Sequence, residues 1–555
     1  MKGMILAIFF LLSGFGNVAA SEPSTTESEP PQILNEDQGF WYAQGKEDLL
    51  RALNRQLNLN TAKNVIFFLG DGMGVSTVTA ARIHAGQKLG ELGEENYLSF
   101  EKFPNLGLLK TYNVDRQVAD SAGSATSYLT GVKGRYGTLG LDVSAPFNVC
   151  RSDLGTKPNV DSVLKWAQDA GKATGFVTTT RVTHATPAGL YAHTANRDWE
   201  CDSQVPLANR HQCKDIARQL IEDEPGRNIK IILGGGRQVF EAANDNGTTN
   251  WPCKRGDNMD LIEAWKVDKK NRDKSYLFLE NRDGLLNTNL DDADFILGLF
   301  SINHIPYELD RVEDPKVGAL APGIEEMTEK AIRFLQKKST NGFFLLVEGG
   351  RIDHAHHKNN ALLALEETVA MHKAVAIAQR LTDNKDTLIV VTADHSHTFN
   401  INGYPVRGNK ITGVGGVGDN GYNYTTLSYS SGPGFWKNVN NGTTDPHKPW
   451  LDASTLDVHN KTYRQLSQIP AYDAYHGGED VAVYATGPMS HLFHGVHEQS
   501  YVAHVVGHAA CMGPYASVCD VPKPEPQSAG VSTISSHFTI LLMAFAVSIT
   551  IVWFE

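Results

Sequence analysis

TLIVVTADHSH, residues 387–397, is an uncharged, β-branched run that breaks into a cluster of Asp and His. The same design recurs at NVIFFLGDG from Asn64, ATGFVTTT from Ala173, IKIILGGG from Ile229 and FFLLVEGG from Phe343. Short, continuously apolar runs that end in Gly or polar turns have the pattern of strands buried on both faces of a parallel sheet. Helical patterns separate them, among them EEMTEKAIRFLQKK from Glu325 and ALLALEETVAMHKAVAIAQRLT from Ala361. The fold class expected is therefore α/β, with a central, mostly parallel sheet and helices on both faces. Ligands in such sheets bind beyond the carboxyl ends of the strands. Residues 398–475, rich in Gly, Asn, Tyr and Pro, interrupt the alternation and read as a surface insertion. Within it GVGGVG (413–418) matches a phosphate-loop spacing. No helical pattern follows to offer an N-terminus, so it reads as a flexible loop.

Across all 555 residues, 50 basic against 62 acidic side chains give a net charge of −12, with 41% hydrophobic residues. That composition excludes collagen, coiled coil, pervasive disorder and a polytopic membrane protein, and leaves no basic footprint for nucleic acid. Both ends read as addresses. Residues 1–20 place Lys2 before an apolar run and end in Val18-Ala19-Ala20, a secretory signal, and a polar leader spans 21–37. At the other end, Ser528-Ala529-Gly530, a spacer to His537 and an apolar tail from Phe538 to Phe554 describe a GPI-anchor signal. Ser528 would be the attachment residue, 521–528 the linker and 529–555 the removed propeptide. A retained membrane helix is the alternative. Either places the body, 61–520, on the extracellular face of the cell membrane.

The six cysteines, Cys150, Cys201, Cys213, Cys253, Cys511 and Cys519, lie between these addresses and fit disulfides, with many connectivities open. Cys511 and Cys519 are close and near the end of the fold, and are paired on that ground. No CxxC occurs, which argues against a thiolate metal site. Sequons at Asn246, Asn423, Asn441 and Asn460 suit a glycosylated, secreted chain. Residues 38–58 read as an amphipathic helix within an N-terminal arm (38–60), laid on a partner or on its own body.

The residues just past the strand ends share one chemistry. They are Asp71; His184 and Thr186; Glu348, Asp353, His356 and His357; Asp394, His395 and His397; and His476 in HGGED before VAVYA. Asp, Glu and His without Cys suit hard and borderline divalent ions. Asp353 and His357, four apart, share one helical face. In DSAGSAT (120–126) small residues would let a helix start close to an anion, with Ser121 at its head. No GxSxG elbow surrounds Ser121, so a metal rather than a triad would activate it.

VIFFLGDGMG, DSAGSAT, TTTRVTHATPAG with YAHTANR, VEGGRIDHAHH, TADHSH and HGGEDVAVYA resemble, in order, the signatures of animal alkaline phosphatases, over about residues 38 to 519. The signal, tail and insertion are similar to those of the membrane-anchored members. The resemblance implies two zinc ions, one held by Asp353, His357 and His476, the other by Asp71, Asp394 and His395. It implies one magnesium ion on Asp71, Thr186 and Glu348, with His184 supporting that shell. Ser121 would be the phosphorylated nucleophile, Arg197 the phosphate clamp and Asp120 its orienter. Three divalent ions and Arg197 against five carboxylates leave such a site at about +2, matched to a phosphate dianion. Cys150–Cys213 and Cys511–Cys519 match the family's bridges, leaving Cys201 with Cys253. The resemblance stops at calcium: Phe300-Ser301 stands where mammalian members carry Phe-Glu, and Ser301 brings no carboxylate. The implied activity is hydrolysis of small phosphomonoesters by a homodimer, with no nucleic-acid partner. A diesterase of the same superfold would use similar ligands. An inactive surface-binding relative would lack a ligand or the nucleophile. A sulfatase would need a Cys/Ser-x-Pro-x-Arg motif, which is absent.

Overall fold

The computed structural model describes residues 36–150, 157–242, 253–442 and 444–520. At its centre is a ten-stranded sheet. In chain order the strands are β1 (Asn64–Gly70), β2 (Asn105–Lys110), β3 (Ala173–Arg181), β4 (Ile231–Gly235) and β5 (Tyr276–Leu279). They continue as β6 (Phe295–Leu299), β7 (Phe343–Gly349), β8 (Thr387–Ala393), β9 (Val481–Thr486) and β10 (Gly495–Glu498). Across the sheet the order is β10-β2-β9-β8-β1-β7-β3-β4-β6-β5. Only β9, formed by the VAVYA segment, runs antiparallel to its neighbours. All of β3, β7 and β8, and all of β1 after Asn64, are buried, so both faces are covered. Each buried Val, Leu, Ile or Phe contributes roughly 1.5–3 kcal/mol of transfer free energy, which is why these runs specify the centre.

Register sets the site. In β1, Gly70 pairs with Gly349 of β7 and Ala393 of β8, and Thr178 of β3 pairs with Glu348. Asp71 and Asp394 therefore emerge at one level, one residue past the paired Gly70 and Ala393, while Glu348 lies two positions back on β7, opposite Leu69. Three helices carry the framework outward: α2 (Val75–Lys88), α4 (Ile324–Lys338) and α6 (Ala361–Leu381), with α6 packed on both of the others. Two more serve the site directly: α3 (Ser121–Thr130) and α5 (Arg351–His357).

At the N-terminus, α1 spans Gln38–Leu53 and buries none of its residues. It stops five residues before the expected end because Asn54 caps it, and Asn favours caps over helix interiors. In the insertion, Phe399–Ile401, Leu427–Gly432 and Ser467–Pro470 form a three-stranded sheet. The GVGGVG stretch departs from its loop reading: Val414–Val417 is a strand paired with Asn423–Thr425, with a bulge between Val414 and Gly416, the latter with φ of 154°. A glycine tolerates that angle where a side chain would strain.

Cys150 bonds Cys213, and Cys201 bonds Cys253. Cys511 is disulfide-bonded, while the side chain of Cys519 lies outside the described ones. Asn441 and Asn460 are exposed, and Asn423 is half-buried and donates to Asp452 at 3.1 Å. Asn246, Ser528, the signal segment, the leader to residue 35 and the apolar tail lie outside the described residues. Among those described, no helix is long and apolar enough to cross a membrane.

Candidate active site

Ser121 is the first residue of α3, all ten of whose residues are buried. Asp120 caps that helix through hydrogen bonds from the backbone N–H of Ala122 and Gly123. The Asp120 carboxylate also accepts from Asn113, from the Gly137 N–H and, at 3.3 Å, from Arg197 Nη1. One side chain thus fixes the helix start and the guanidinium together. Ser121 Oγ lies 3.5 Å from Asp71 Oδ1 and 3.3 Å from His395 Nε2.

The acidic and imidazole groups converge in three sets whose ligand atoms lie within 4.8 Å of one another: Asp71, Asp394 and His395; Asp71, His184 and Glu348; and Asp353, His395, His397 and His476. His357 joins the last set, with Nε2 3.3 Å from Asp353 Oδ2 and 3.2 Å from His476 Nε2. Thr186 stands beside Glu348 and accepts from Tyr128 Oη at 3.3 Å. All eight ligand positions expected from the sequence are thus brought together. His184 Nε2 meets Arg197 Nη2 at 3.3 Å, joining the Asp71–His184–Glu348 set to the guanidinium beside Asp120.

The arrangement fits bound cations. The Nδ1 atoms of His357, His395 and His476 face the carbonyl oxygens of Ala474, Ser396 and Ala119 at 2.7, 3.2 and 2.8 Å. Donation of each Nδ1–H to its carbonyl leaves the Nε2 lone pair aimed inward, as an imidazole ligand requires. Two such Nε2 atoms 3.2 Å apart repel unless a cation lies between them. Asp71 Oδ2, Asp394 Oδ2 and Glu348 Oε1 are buried without a hydrogen-bond partner. Such groups are costly unless a charge compensates them. Burial, then the charges of Asp394, Asp353 and Glu348, pushes the Asp71 carboxyl well above the usual range. Burial likewise brings Glu348 up to about 7, against the pull of its threonine hydrogen bonds. His476 is held down to about 3 by burial and by the neighbouring His395.

Some partners escaped the sequence reading. Thr178 donates to Glu348 Oε2, and Thr180 does so at 3.1 Å. Their two-residue spacing on β3, opposite FFLLVE, was the available signal. His397, grouped with the strand-end residues but given no role, binds Asp353 Oδ1 through Nε2 at 2.6 Å. His356 is no ligand: it bridges Thr77 Oγ1 (2.9 Å) and Tyr429 Oη (2.8 Å). Gly72, with φ of 69°, is required because a Cβ there would come within 2.7 Å of His397 and 3.1 Å of the Asp353 backbone. Ser121, His184, Arg197, Asp353, His357 and His476 line a cleft of about 1410 Å³.

A family model described as alkaline phosphatase matches residues 62–512. The chain is 46% identical over 517 residues to the tissue-nonspecific alkaline phosphatase of Gallus gallus, covering 91% of this chain and 95% of that one. It is 44% identical over 524 residues to the Homo sapiens isozyme of that name, covering 92% and 95%. With alkaline phosphatase 4 of Drosophila melanogaster it shares 40% over 550 residues, 93% and 90%. Among solved structures, alkaline phosphatase from the Antarctic bacterium TAB5 aligns with a TM-score of 0.55 at 21% identity, over 81% of this chain and 99% of that one. The Thermus thermophilus enzyme gives 0.56 at 22%, over 82% and 93%.

Proposed function

This chain belongs to the alkaline phosphatase family, and we propose that its phosphomonoester hydrolysis runs through a phosphoserine on Ser121. Asp353, His357 and His476 would hold one zinc ion, and Asp71, Asp394 and His395 the other. Asp71, Thr186 and Glu348 would hold magnesium, with His184 behind them. Bound there, divalent ions supply Lewis-acid charge to a serine oxygen and to a leaving oxygen.

The remaining chemistry belongs to the chain. Arg197, steadied by Asp120, grips two phosphate oxygens through its planar fork. The positive end of the α3 dipole lies at Ser121, beside the same anion, while the Ala122 and Gly123 N–H groups are taken by Asp120. Ser121 Oγ gives its proton to solvent water and forms a bond to phosphorus as the ester P–O bond breaks, and the alcohol departs carrying a proton taken from water. Water then attacks phosphorus, the Ser121 O–P bond breaks and Ser121 regains its proton. The placement of Ser121 Oγ beside Asp71 and His395 carries this reading. Ser121→Ala should lower turnover of a chromogenic phosphomonoester at alkaline pH by at least about 10³-fold while bound zinc and magnesium remain. Near-normal turnover in that variant would sink the covalent route.

The chain is secreted, glycosylated at Asn246, Asn423, Asn441 and Asn460, and anchored to the outer membrane face through GPI at Ser528. Two copies pair, with α1, whose apolar residues Trp41, Leu49 and Leu53 are exposed, laid across the partner. Release from cells by a phosphatidylinositol-specific phospholipase tests the anchor. A monomer in sedimentation would overturn the pairing.

A further inference from the structure

Gln499 is fully buried just past the carboxyl end of β10, where its backbone N–H donates to the Lys110 carbonyl of β2 at 3.2 Å. Its side chain acts elsewhere. Although β2 and β9 lie between β10 and β8 in the sheet, Nε2 donates to the backbone carbonyl of Asp394 at 2.7 Å. It also lies 3.4 Å from the carbonyl of Ala393, the last residue of β8. The Asp394 side chain is held separately, since its Oδ1 accepts from the N–H groups of Gly72 and His395 at 2.9 and 2.8 Å. Gln499 thus grips the main chain of a residue whose carboxylate is already fixed.

Packing does not explain an amide at this position. Gln499 Oε1 is buried with no hydrogen-bond partner among the described residues, which is destabilising. A methionine would fill similar space without that unpaired oxygen. What methionine lacks is the donor to the Asp394 carbonyl. A side chain that breaks a packing rule at one point of a fold marks a place held for function. The surroundings say what is held. Asp394 and His395 converge with Asp71, and His395 Nε2 lies 3.3 Å from Ser121 Oγ. The chain after Gln499 runs into α7 (Tyr501–Ala510), which packs on α3, the helix headed by Ser121. Gln499 therefore joins the Asp394 corner to the element that braces the serine's helix.

We propose that Gln499 is a positioning residue for the Asp394–His395 corner: by holding the Asp394 carbonyl it fixes where Asp394 Oδ2 and His395 Nε2 point, and so the affinity of Asp71, Asp394 and His395 for zinc. This rests on the metal assignment above and adds to it a residue from the edge strand of the sheet. Hydrogen bonds that orient a metal's ligands carry about 10-fold or more of its affinity.

Competition for zinc between the full-length protein and a chromogenic chelator reads this directly. Gln499→Met keeps an unbranched side chain of similar length and removes the donor. One of the two zinc ions should be lost about 10-fold more readily, the other held as before, with turnover recovering as zinc is raised. Gln499→Glu, ionised at alkaline pH, presents only acceptor oxygens to the Asp394 carbonyl and should show the same loss, which leaves a second probe where the methionine variant misfolds. Thr392→Val controls for a merely structural role, because it removes a hydroxyl that bonds the Ala482 carbonyl at 2.9 Å near the same strand end. It should lower the melting temperature of chelator-stripped protein and leave zinc affinity unchanged. Unchanged zinc affinity in the Gln499 variants, or an equal loss in Thr392→Val, overturns the assignment. Unaltered protein that binds no zinc would instead bring down the metal reading on which it rests.

Discussion

Glu348 shows how far single residues could be read and where reading stopped. Its carboxylate at a strand end announced a hard-cation ligand. What holds it could not be inferred, because Thr178 and Thr180 reach it from a strand some 170 residues earlier in the chain. Thr178→Val keeps the shape and removes one hydroxyl. Outer-shell substitutions of this kind weaken metal affinity by about 10-fold or more. Magnesium titration followed by calorimetry should show that loss, and unchanged affinity would mean Glu348 is oriented without Thr178. The three histidines proposed as ligands, His357, His395 and His476, follow the same pattern. That they would bind through Nε2 follows from carbonyls at Ala119, Ser396 and Ala474, two of them remote in sequence.

The α5 helix was legible as an element, since Asp353 and His357 fall one turn apart. Its attachment was not. Asn359, just beyond it, is fully buried with φ of 53°. Its side chain donates to the Ser431 carbonyl at 3.0 Å and accepts from the Gly434 N–H at 2.7 Å. His356 adds its bond to Tyr429, and His357 its bond to Ala474. The α5 helix, which carries Asp353 and His357, is thereby stapled to the insertion, which composition alone presented as a peripheral loop. Asn359→Ala loses both side-chain bonds and must hold a left-handed backbone, whereas Asn359→Gly loses only the bonds. Both should unfold at lower denaturant, by about 2–3 kcal/mol, with the alanine variant worse by about 1 kcal/mol. Equal stability of the two would show that the backbone angle is not held in the variants.

At the scale of the molecule, a net charge of −12 says little about binding, because the working charge lies in a buried array of Asp, Glu and His. Stripping divalent ions leaves orphaned carboxylate oxygens on Asp71, Asp394 and Glu348. Since ions that bind only the folded state stabilise it by mass action, chelation should lower the melting temperature and zinc with magnesium should restore it. A scan indifferent to chelator would contradict a metal-filled site. By itself the sequence determined the parallel sheet, the ligand chemistry at its strand ends and the serine at a helix head. Each of these is carried by local periodicity, and strand ends at one sheet edge meet by construction. Only the tertiary structure decided which nitrogen of each histidine faces inward, that His356 braces while His397 holds Asp353, and that Gln499 reaches the Asp394 carbonyl. Those outcomes depend on contacts between residues far apart in the chain, and no local pattern encodes a distance across the fold.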